Sequence, residues 1–166
     1  MPVRDIVRFP EARLKLVAQP VERFDAELAG LAADLFDTMR AAPGIGITGP
    51  HVGVLQRVVV LQLTEAEKPL TYVNPVITWA SDEKIRHAEG SVSMPGVTEE
   101  IERSRAVHVA YRDLDGKERF EEAEGLRAVC HQHEIDQLDG IFWIQRLSPL
   151  KRERLVKKYQ KIARRA

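Results

Sequence analysis

Cysteine is almost absent from this sequence, and so are the features that mark several other protein classes. The single cysteine, Cys130, excludes an internal disulfide and is typical of a reducing compartment. No apolar run approaches the roughly 20 residues that a membrane-spanning helix needs, and residues 1–5 lack the apolar core of a signal peptide. Internal repeats are also missing. We therefore expect a cytoplasmic protein with no membrane partner, folded as a single domain over residues 1–166.

The sequence has no net charge, because 25 basic residues match 25 acidic ones, but the charges are unevenly distributed. Residues 151–166 hold eight basic residues and one acidic residue, and subtraction from the two totals leaves 17 basic and 24 acidic residues in the first 150. A basic C-terminal helix can bind RNA, the ribosome or an acidic partner, or it can simply be solvated. Aromatic residues are few and are not spaced for base stacking, so we predict no sequence-specific recognition of nucleic acid.

Three segments carry apolar residues at steps of three and four, which predicts three amphipathic helices. The first covers residues 25–42 and is stopped by Pro43-Gly44. The second begins near Glu124 and ends near Gly140, and it is predicted to be central to the fold. In the third, Ser148 is the expected N-cap and Pro149 the first helical residue.

Between the first two helices the sequence has strand character. Buried or extended runs are predicted over residues 57–63, 70–78, 85–93 and 101–111, and Asp115-Gly116 predicts a hairpin between strands at 107–113 and 117–121. Asn74-Pro75 favours an edge strand or a bulge in the second run, because proline cannot donate to a strand ladder. The stretch 44–50 is too rich in glycine and proline to predict regular structure. The order of helix, strands, helix and helix indicates an α+β domain.

The second helix carries His133-Glu134-Ile135-Asp136-Gln137, which resembles the His-Glu-x-x-His motif of metallohydrolases with glutamine at the second histidine. In an intact motif, two histidines four residues apart converge on one metal while the glutamate acts as general base. Gln137 offers only a neutral amide oxygen, which is a poor ligand for zinc or ferrous iron. A chance His-Glu pair on a surface helix is the alternative for an isolated match.

Two further segments extend the match to one family. Gly44-Ile45-Gly46-Ile47-Thr48-Gly49-Pro50-His51 resembles the Gly-x-Gly-Leu-Ala-Ala-x-Gln loop of peptide deformylases, and Glu89-Gly90-Ser91-Val92-Ser93 resembles their Glu-Gly-Cys-Leu-Ser segment. Residues 132–140 resemble their Gln-His-Glu-x-Asp-His-Leu-x-Gly helix, in the same order and spacing. The resemblance implies antiparallel strands around a central motif-bearing helix, with an N-terminal and a C-terminal helix. It also implies removal of the formyl group from the N-terminal formyl-methionine of nascent bacterial chains by a divalent metal, commonly ferrous iron.

The metal ligands of the family are one cysteine and two histidines, and they correspond here to Ser91, His133 and Gln137. Only His133 keeps its ligand chemistry, because a serine hydroxyl stays protonated at neutral pH where a thiolate would bind a soft metal. Loss of two of three donors should lower metal affinity by orders of magnitude, since even outer-shell losses cost about 10–100-fold. We therefore expect no high-affinity cofactor. His133 is retained either as a residual ligand or because its neighbours pack around it.

The resemblance assigns roles to the remaining site residues. Glu134 matches the general base, although hydrogen bonding alone also explains a buried glutamate. His51 replaces a glutamine that helps hold the formyl oxygen together with the backbone N–H at Val92, and a histidine can still donate one hydrogen bond. Asp136 is interpreted as structural, and Cys130 as a packing residue. A narrow pocket for an apolar side chain such as methionine is predicted from Ile45, Gly46, Ile47, Glu89 and Arg103.

Two hypotheses follow from the sequence. The first is a non-catalytic binding or regulatory protein that engages the N-terminal peptide of nascent or formylated chains. It would act near the ribosome through the basic C-terminal helix, an end that the resemblance associates with ribosome docking. The second is an active metal-dependent deformylase or amidase with a rebuilt iron or zinc site that uses His51, His133 and Glu134.

Overall fold

The computed structural model describes residues 3–165, and these residues contain three α-helices and seven strands. The helices are α1 (Ala26–Ala41), α2 (Leu126–Leu138) and α3 (Pro149–Arg165). The strands are β1 (Gly46–Thr48), β2 (Val58–Leu61), β3 (Leu70–Ala80), β4 (Lys84–Ser91), β5 (Met94–Ser104), β6 (Ala106–Arg112) and β7 (Glu118–Glu124). Short 3₁₀ turns cover Ala12–Lys15, Gly49–Val52 and Trp143–Arg146. Met1 and Pro2 of the N-terminus and Ala166 of the basic segment lie outside the described residues.

The three predicted helices are confirmed, and so is the N-cap predicted at Ser148. The Asp25 carboxylate accepts a hydrogen bond from the Leu28 backbone N–H at 3.1 Å and begins α1. The Ser148 hydroxyl accepts one from the Lys151 N–H at 3.3 Å and begins α3. Both contacts pair backbone donors that the first turn of a helix leaves free. Within residues 3–165, every helix is too short or too polar to cross a bilayer.

The strands form two antiparallel sheets. The larger sheet has the order β1-β2-β3-β6-β7, and β4 and β5 form a separate two-stranded sheet. The prediction of one strand over residues 101–111 is wrong, because β5 ends at Ser104 and the chain crosses to the other sheet at Arg105. The prediction of no regular structure over residues 44–50 is also wrong: Ile47 pairs with Val60, and β1 extends the larger sheet.

Asn74-Pro75 lies in β3, between β2 and β6, so the edge alternative is wrong and the bulge alternative is confirmed. The register of β3 shifts between Val73 and Val76, where Asn74 has a φ of 51°. The Asn74 side chain accepts from the Val21 N–H at 2.8 Å and donates to the Val21 carbonyl at 3.0 Å. These two bonds stabilise a conformation that non-glycine residues rarely adopt.

Helix α2 is central, as predicted. It contacts β1, β2 and β3 of the larger sheet on one side and β5 of the smaller sheet on the other, and ten of its residues are buried. Gly140, with a φ of 78°, follows the helix, and a Cβ there would lie 2.6 Å from the Lys15 carbonyl oxygen. The chain can therefore turn back under α2 only with glycine at this position. This arrangement places the motif residues of α2 between the two sheets.

Candidate functional site

A cavity of about 470 Å³ lies between α2, the β4–β5 hairpin and the segment that joins α1 to β1. Its polar lining includes the residues His51, Glu89, Ser91, His133 and Glu134. Its apolar lining includes Ile45, Val92, Met94, Val97, Leu126 and Val129. A mainly apolar cavity of this size with a few converging polar groups is typical of a small-ligand site.

His133 is held in place by Glu89, a residue of β4. The His133 Nδ1 atom lies 2.8 Å from a Glu89 carboxylate oxygen. Arg103 on β5 donates to both oxygens of the same carboxylate, at 2.8 and 2.9 Å. All three side chains are almost fully buried, so the orientation of the imidazole is fixed by a network that excludes water.

The same network continues to Asp136, one turn along the helix from His133. Arg103 donates to Asp136 at 2.6 Å, and Arg146 donates to both Asp136 oxygens, at 2.7 and 2.9 Å. Two carboxylates and two guanidinium groups therefore compensate one another below the cavity. A buried ion pair is tolerated when its remaining hydrogen bonds are made, as they are here. The contacts of Asp136 support the structural role predicted for it.

Burial and these contacts perturb the acidity of the groups. Burial alone would raise the pKa of Glu89, but hydrogen bonds from Arg103 and His133 outweigh this effect and lower the pKa to about 2. Burial acts to lower the pKa of His133, but the negative charges of Glu134 and Glu89 outweigh it and raise this pKa. Burial raises the pKa of Glu134, because water no longer stabilises the carboxylate. Strong perturbation of several neighbouring groups in one cavity is typical of functional sites.

His51 faces the cavity from the 3₁₀ turn after β1. The Thr48 backbone N–H donates to His51 Nδ1 at 3.0 Å, so we assign the ring proton to Nε2. Burial and the nearby charge of His133 lower the pKa of His51 to about 3, which keeps the ring neutral. His51 Nε2 is buried and has no hydrogen-bond partner. The ring therefore presents one unused donor.

The Glu134 side chain packs against Gly46, the glycine of β1. A Cβ at Gly46 would collide with Glu134 Oε2. Glycine at this position therefore provides the space that the carboxyl group occupies. The other carboxyl oxygen, Oε1, is buried and has no hydrogen-bond partner.

Ser91 and Gln137 make hydrogen bonds within the protein. The Ser91 hydroxyl accepts from the Ser93 N–H at 3.1 Å, although the residue lines the cavity. The Gln137 amide donates to the Leu14 carbonyl at 2.7 Å, and Gln137 is not among the cavity-lining residues. Within residues 3–165, no three His, Cys, Asp or Glu side chains are grouped so that they could hold a metal ion.

Two predicted pocket residues lie outside the cavity. Ile47 is fully buried in the cluster between α1 and β2, because successive strand residues face opposite sides and Gly46 takes the cavity side. Arg103 lies below the cavity and reaches it only through Glu89. Ile45, Gly46, Glu89 and Val92 line the cavity.

A second buried network, which was not predicted from the sequence, lies on the other face of α2. His131 and Arg127 bind the Glu121 carboxylate at 2.7 and 2.9 Å, and the Tyr72 hydroxyl donates to it at 2.6 Å. The spacing of Arg127 and His131 by four residues is the signal that they share one helix face. Cys130, predicted to be a packing residue, packs beside Tyr72 but also lines the cavity, and burial raises its thiol pKa to about 12.

Comparisons with known proteins agree with this architecture. The model of the family described as polypeptide deformylase matches residues 3–153. Brucella suis biovar 1 has a protein named peptide deformylase-like that is 63% identical over 99% of this chain and its own whole length. The same organism has a protein named peptide deformylase that is 43% identical over 98% of this chain and 95% of its own. The crystal structure of a peptide deformylase from Legionella pneumophila has a TM-score of 0.93 and 37% identity, covering 98% of this chain and 96% of the other. The chain therefore belongs to the polypeptide deformylase family.

Proposed function

We propose that this chain is a peptide deformylase-like protein that has lost the metal site of the family and acts by binding. Its ligand is the N-terminal peptide of a nascent or formylated chain, held in the cavity beside α2 without hydrolysis. The observation that carries this proposal is the side chain of Gln137. At the position of a metal ligand, its amide donates to the Leu14 carbonyl instead of lining the cavity.

The remaining donors do not fit an iron or zinc centre of the family type. A catalytic site of this class holds its metal with three protein ligands and leaves one position open. Here Ser91 offers a neutral hydroxyl that already accepts a backbone hydrogen bond, and His133 is the one retained ligand. A neutral hydroxyl is a weak ligand for either metal compared with a thiolate. Without a metal that lowers the pKa of water, Glu134 has no activated nucleophile to serve.

A comparison with Brucella suis supports a division of labour. That organism has both the peptide deformylase-like relative and a protein named peptide deformylase, and the former is the more similar to this chain. If the second protein deformylates nascent chains, the first is free to lose the activity. The binding role proposed here requires such a partner enzyme in the same cytoplasm.

The basic helix α3 supports a location near the ribosome. Seven of its eight lysine and arginine residues are exposed, whereas Arg152 turns inward and donates to the carbonyls of Ile144 and Leu147. Exposed positive charge attracts the phosphates of RNA without sequence preference. We therefore propose that α3 contacts the ribosome.

One observation favours the second candidate, an active metal-dependent deformylase or amidase. His51 Nε2 and Glu134 Oε1 are both buried without a partner and belong to residues that line the cavity with His133. A small movement could direct these groups to one iron or zinc ion.

Metal analysis and an activity assay separate the two candidates. The protein is purified without oxygen, its metal content is measured, and hydrolysis of a formyl-methionyl peptide is followed. The binding role predicts substoichiometric metal and no turnover. Stoichiometric metal, with turnover that Glu134→Ala abolishes, would refute the binding role and establish the rebuilt site.

A further inference from the structure

Two unpaired polar atoms indicate what the cavity binds. Only four buried side-chain nitrogen and oxygen atoms of the described residues lack a hydrogen-bond partner, and two of them, His51 Nε2 and Glu134 Oε1, belong to cavity-lining residues. A buried polar atom without a partner destabilises the protein, and a charged one does so more strongly. A ligand that pairs both atoms recovers this cost, so their chemistry constrains the chemistry of the ligand.

The two atoms require opposite partners. His51 Nδ1 accepts from the Thr48 N–H, which leaves Nε2–H as a donor that needs an acceptor on the ligand. Glu134 Oε1 is a carboxyl oxygen and needs a donor. A peptide end offers both within a few bonds, because its terminal nitrogen donates and its first carbonyl accepts.

Charge distinguishes one kind of peptide end from the other. The carboxylates of Glu89 and Asp136 are each paired with arginine, whereas Glu134 is within salt-bridge distance of no lysine, arginine or histidine in residues 3–165. A free α-ammonium group would bring three donors and one positive charge to Glu134. A formylated end would bring one N–H and no charge. Charge-assisted hydrogen bonds are about twice as strong as neutral ones.

We propose that the cavity selects chains with a free α-ammonium group and an apolar first side chain over chains with a formylated end. The ammonium group binds Glu134, the first carbonyl accepts from His51 Nε2, and the first side chain packs against the apolar lining at Met94, Val97 and Val129. This inference rests on the proposed binding function. It assigns to this chain the opposite preference from a deformylase, whose substrate is the formylated end.

Calorimetric titration of the intact protein with three peptides tests the selection. The peptides are Met-Ala-Ser, formyl-Met-Ala-Ser and an analogue of Met-Ala-Ser that lacks the amino group. We expect Met-Ala-Ser to bind at least tenfold more tightly than either of the others. Equal or tighter binding of the formylated peptide would overturn this inference and leave the proposed function standing. If none of the three binds at millimolar concentration, the proposed function itself fails.

A variant pair tests the role of Glu134. Glu134→Gln keeps the size of the side chain but removes its charge, so the preference for the free amine should fall to about onefold. Glu122→Gln removes a carboxylate that is exposed on β7 and should leave the preference unchanged. A ratio of affinities is not changed by a uniform loss of folded protein. An unchanged ratio in Glu134→Gln would therefore refute the assignment.

Discussion

A variant that carries the metal-ligand residues of the family at the positions of Ser91 and Gln137 should bind metal, and its stability can be estimated from the structure. The variant combines Ser91→Cys with Gln137→His. It breaks the hydrogen bond from Gln137 to the Leu14 carbonyl, and an unpaired buried acceptor costs about 1–3 kcal/mol. One kcal/mol corresponds to about 2–4 °C in Tm for a chain of this size. Without metal, the variant should therefore melt roughly 2–12 °C below the parent protein.

Metal should reverse this loss in the double variant alone. A ligand present at 100 times its Kd stabilises a folded protein by about 2.7 kcal/mol, which is about 5–11 °C in Tm here. The measurement is thermal unfolding of the parent, both single variants and the double variant, with and without Zn²⁺. Each single variant supplies only two of the three ligands and should show a smaller rise.

Two results would refute this reasoning. If Zn²⁺ raises the Tm of the parent protein as much as that of the double variant, the parent already has a metal site and the proposed loss is wrong. If Zn²⁺ leaves the Tm of the double variant unchanged, two missing donors do not account for the absence of a site. The scaffold around His133 would then have changed as well.

Three further predictions follow from other contacts. Arg103→Met should destabilise the fold by about 3–5 kcal/mol in chemical denaturation, because it removes the arginine that binds the buried carboxylates of Glu89 and Asp136. Arg105→Met removes only the exposed Arg105–Glu83 pair and should cost at most about 1 kcal/mol. Equal losses of stability in the two variants would contradict the importance of the buried network. The pKa of His51 falls from 6.5 to about 3 on folding, so between these pH values the unfolded chain binds one proton more than the folded chain. The free energy of unfolding should therefore decrease as the pH falls from 6.5 towards 3. His51→Gln should make this pH dependence weaker, and an unchanged slope would contradict the role of His51. Gly46→Ala should destabilise the protein by about 1–3 kcal/mol, because the added Cβ collides with Glu134. Gly30→Ala, on the open surface of α1, should stabilise it by about 0.5–1 kcal/mol. No change of stability in Gly46→Ala would show that the Glu134 side chain can move away.

The helices were predictable because local patterns determine them. Asp25, Ser148 and Gly140 lie at helix ends, where caps and left-handed turns are encoded by single residues. The hairpin at Asp115-Gly116 is equally local: Gly116 has a φ of 83°, and the Asp113 carboxylate accepts from the N–H groups of Asp115 and Lys117. Each of these features depends on residues within a few positions of one another.

The strand errors have a different cause. The segment 101–111 is continuously extended in character, and the change from β5 to β6 at Arg105 depends on which sheet each half can join. Gly46 belongs to a strand because β2 is available to pair with it. Its lack of a side chain matters because Glu134, far along the chain, occupies the space that a Cβ would take. Pairing between distant segments is decided by the whole fold, so the local pattern could not predict it.

The site residues were predicted by resemblance, but their orientations were not. The sequence places a glutamine at position 137, yet the Leu14 carbonyl that binds it lies 123 positions earlier. Likewise, the direction of the His51 donor depends on the Thr48 backbone, and the fixed orientation of His133 depends on Glu89. Residue identity therefore indicated where this chain differs from the family motifs, and the contacts indicate which partner each of these side chains has.

These contacts give a common physical interpretation to Ser91, His51 and Gln137, the three residues that differ from the family motifs. Ser91 and Gln137 each make one hydrogen bond to the backbone, at Ser93 and Leu14 respectively. His51 binds the backbone of Thr48 through one nitrogen and leaves the other free. A site that had only decayed would be expected to fill with apolar side chains, because unpaired buried groups are costly. The unpaired atoms of His51 and Glu134, in a cavity that is otherwise mainly apolar, are the feature that supports the polar ligand we propose.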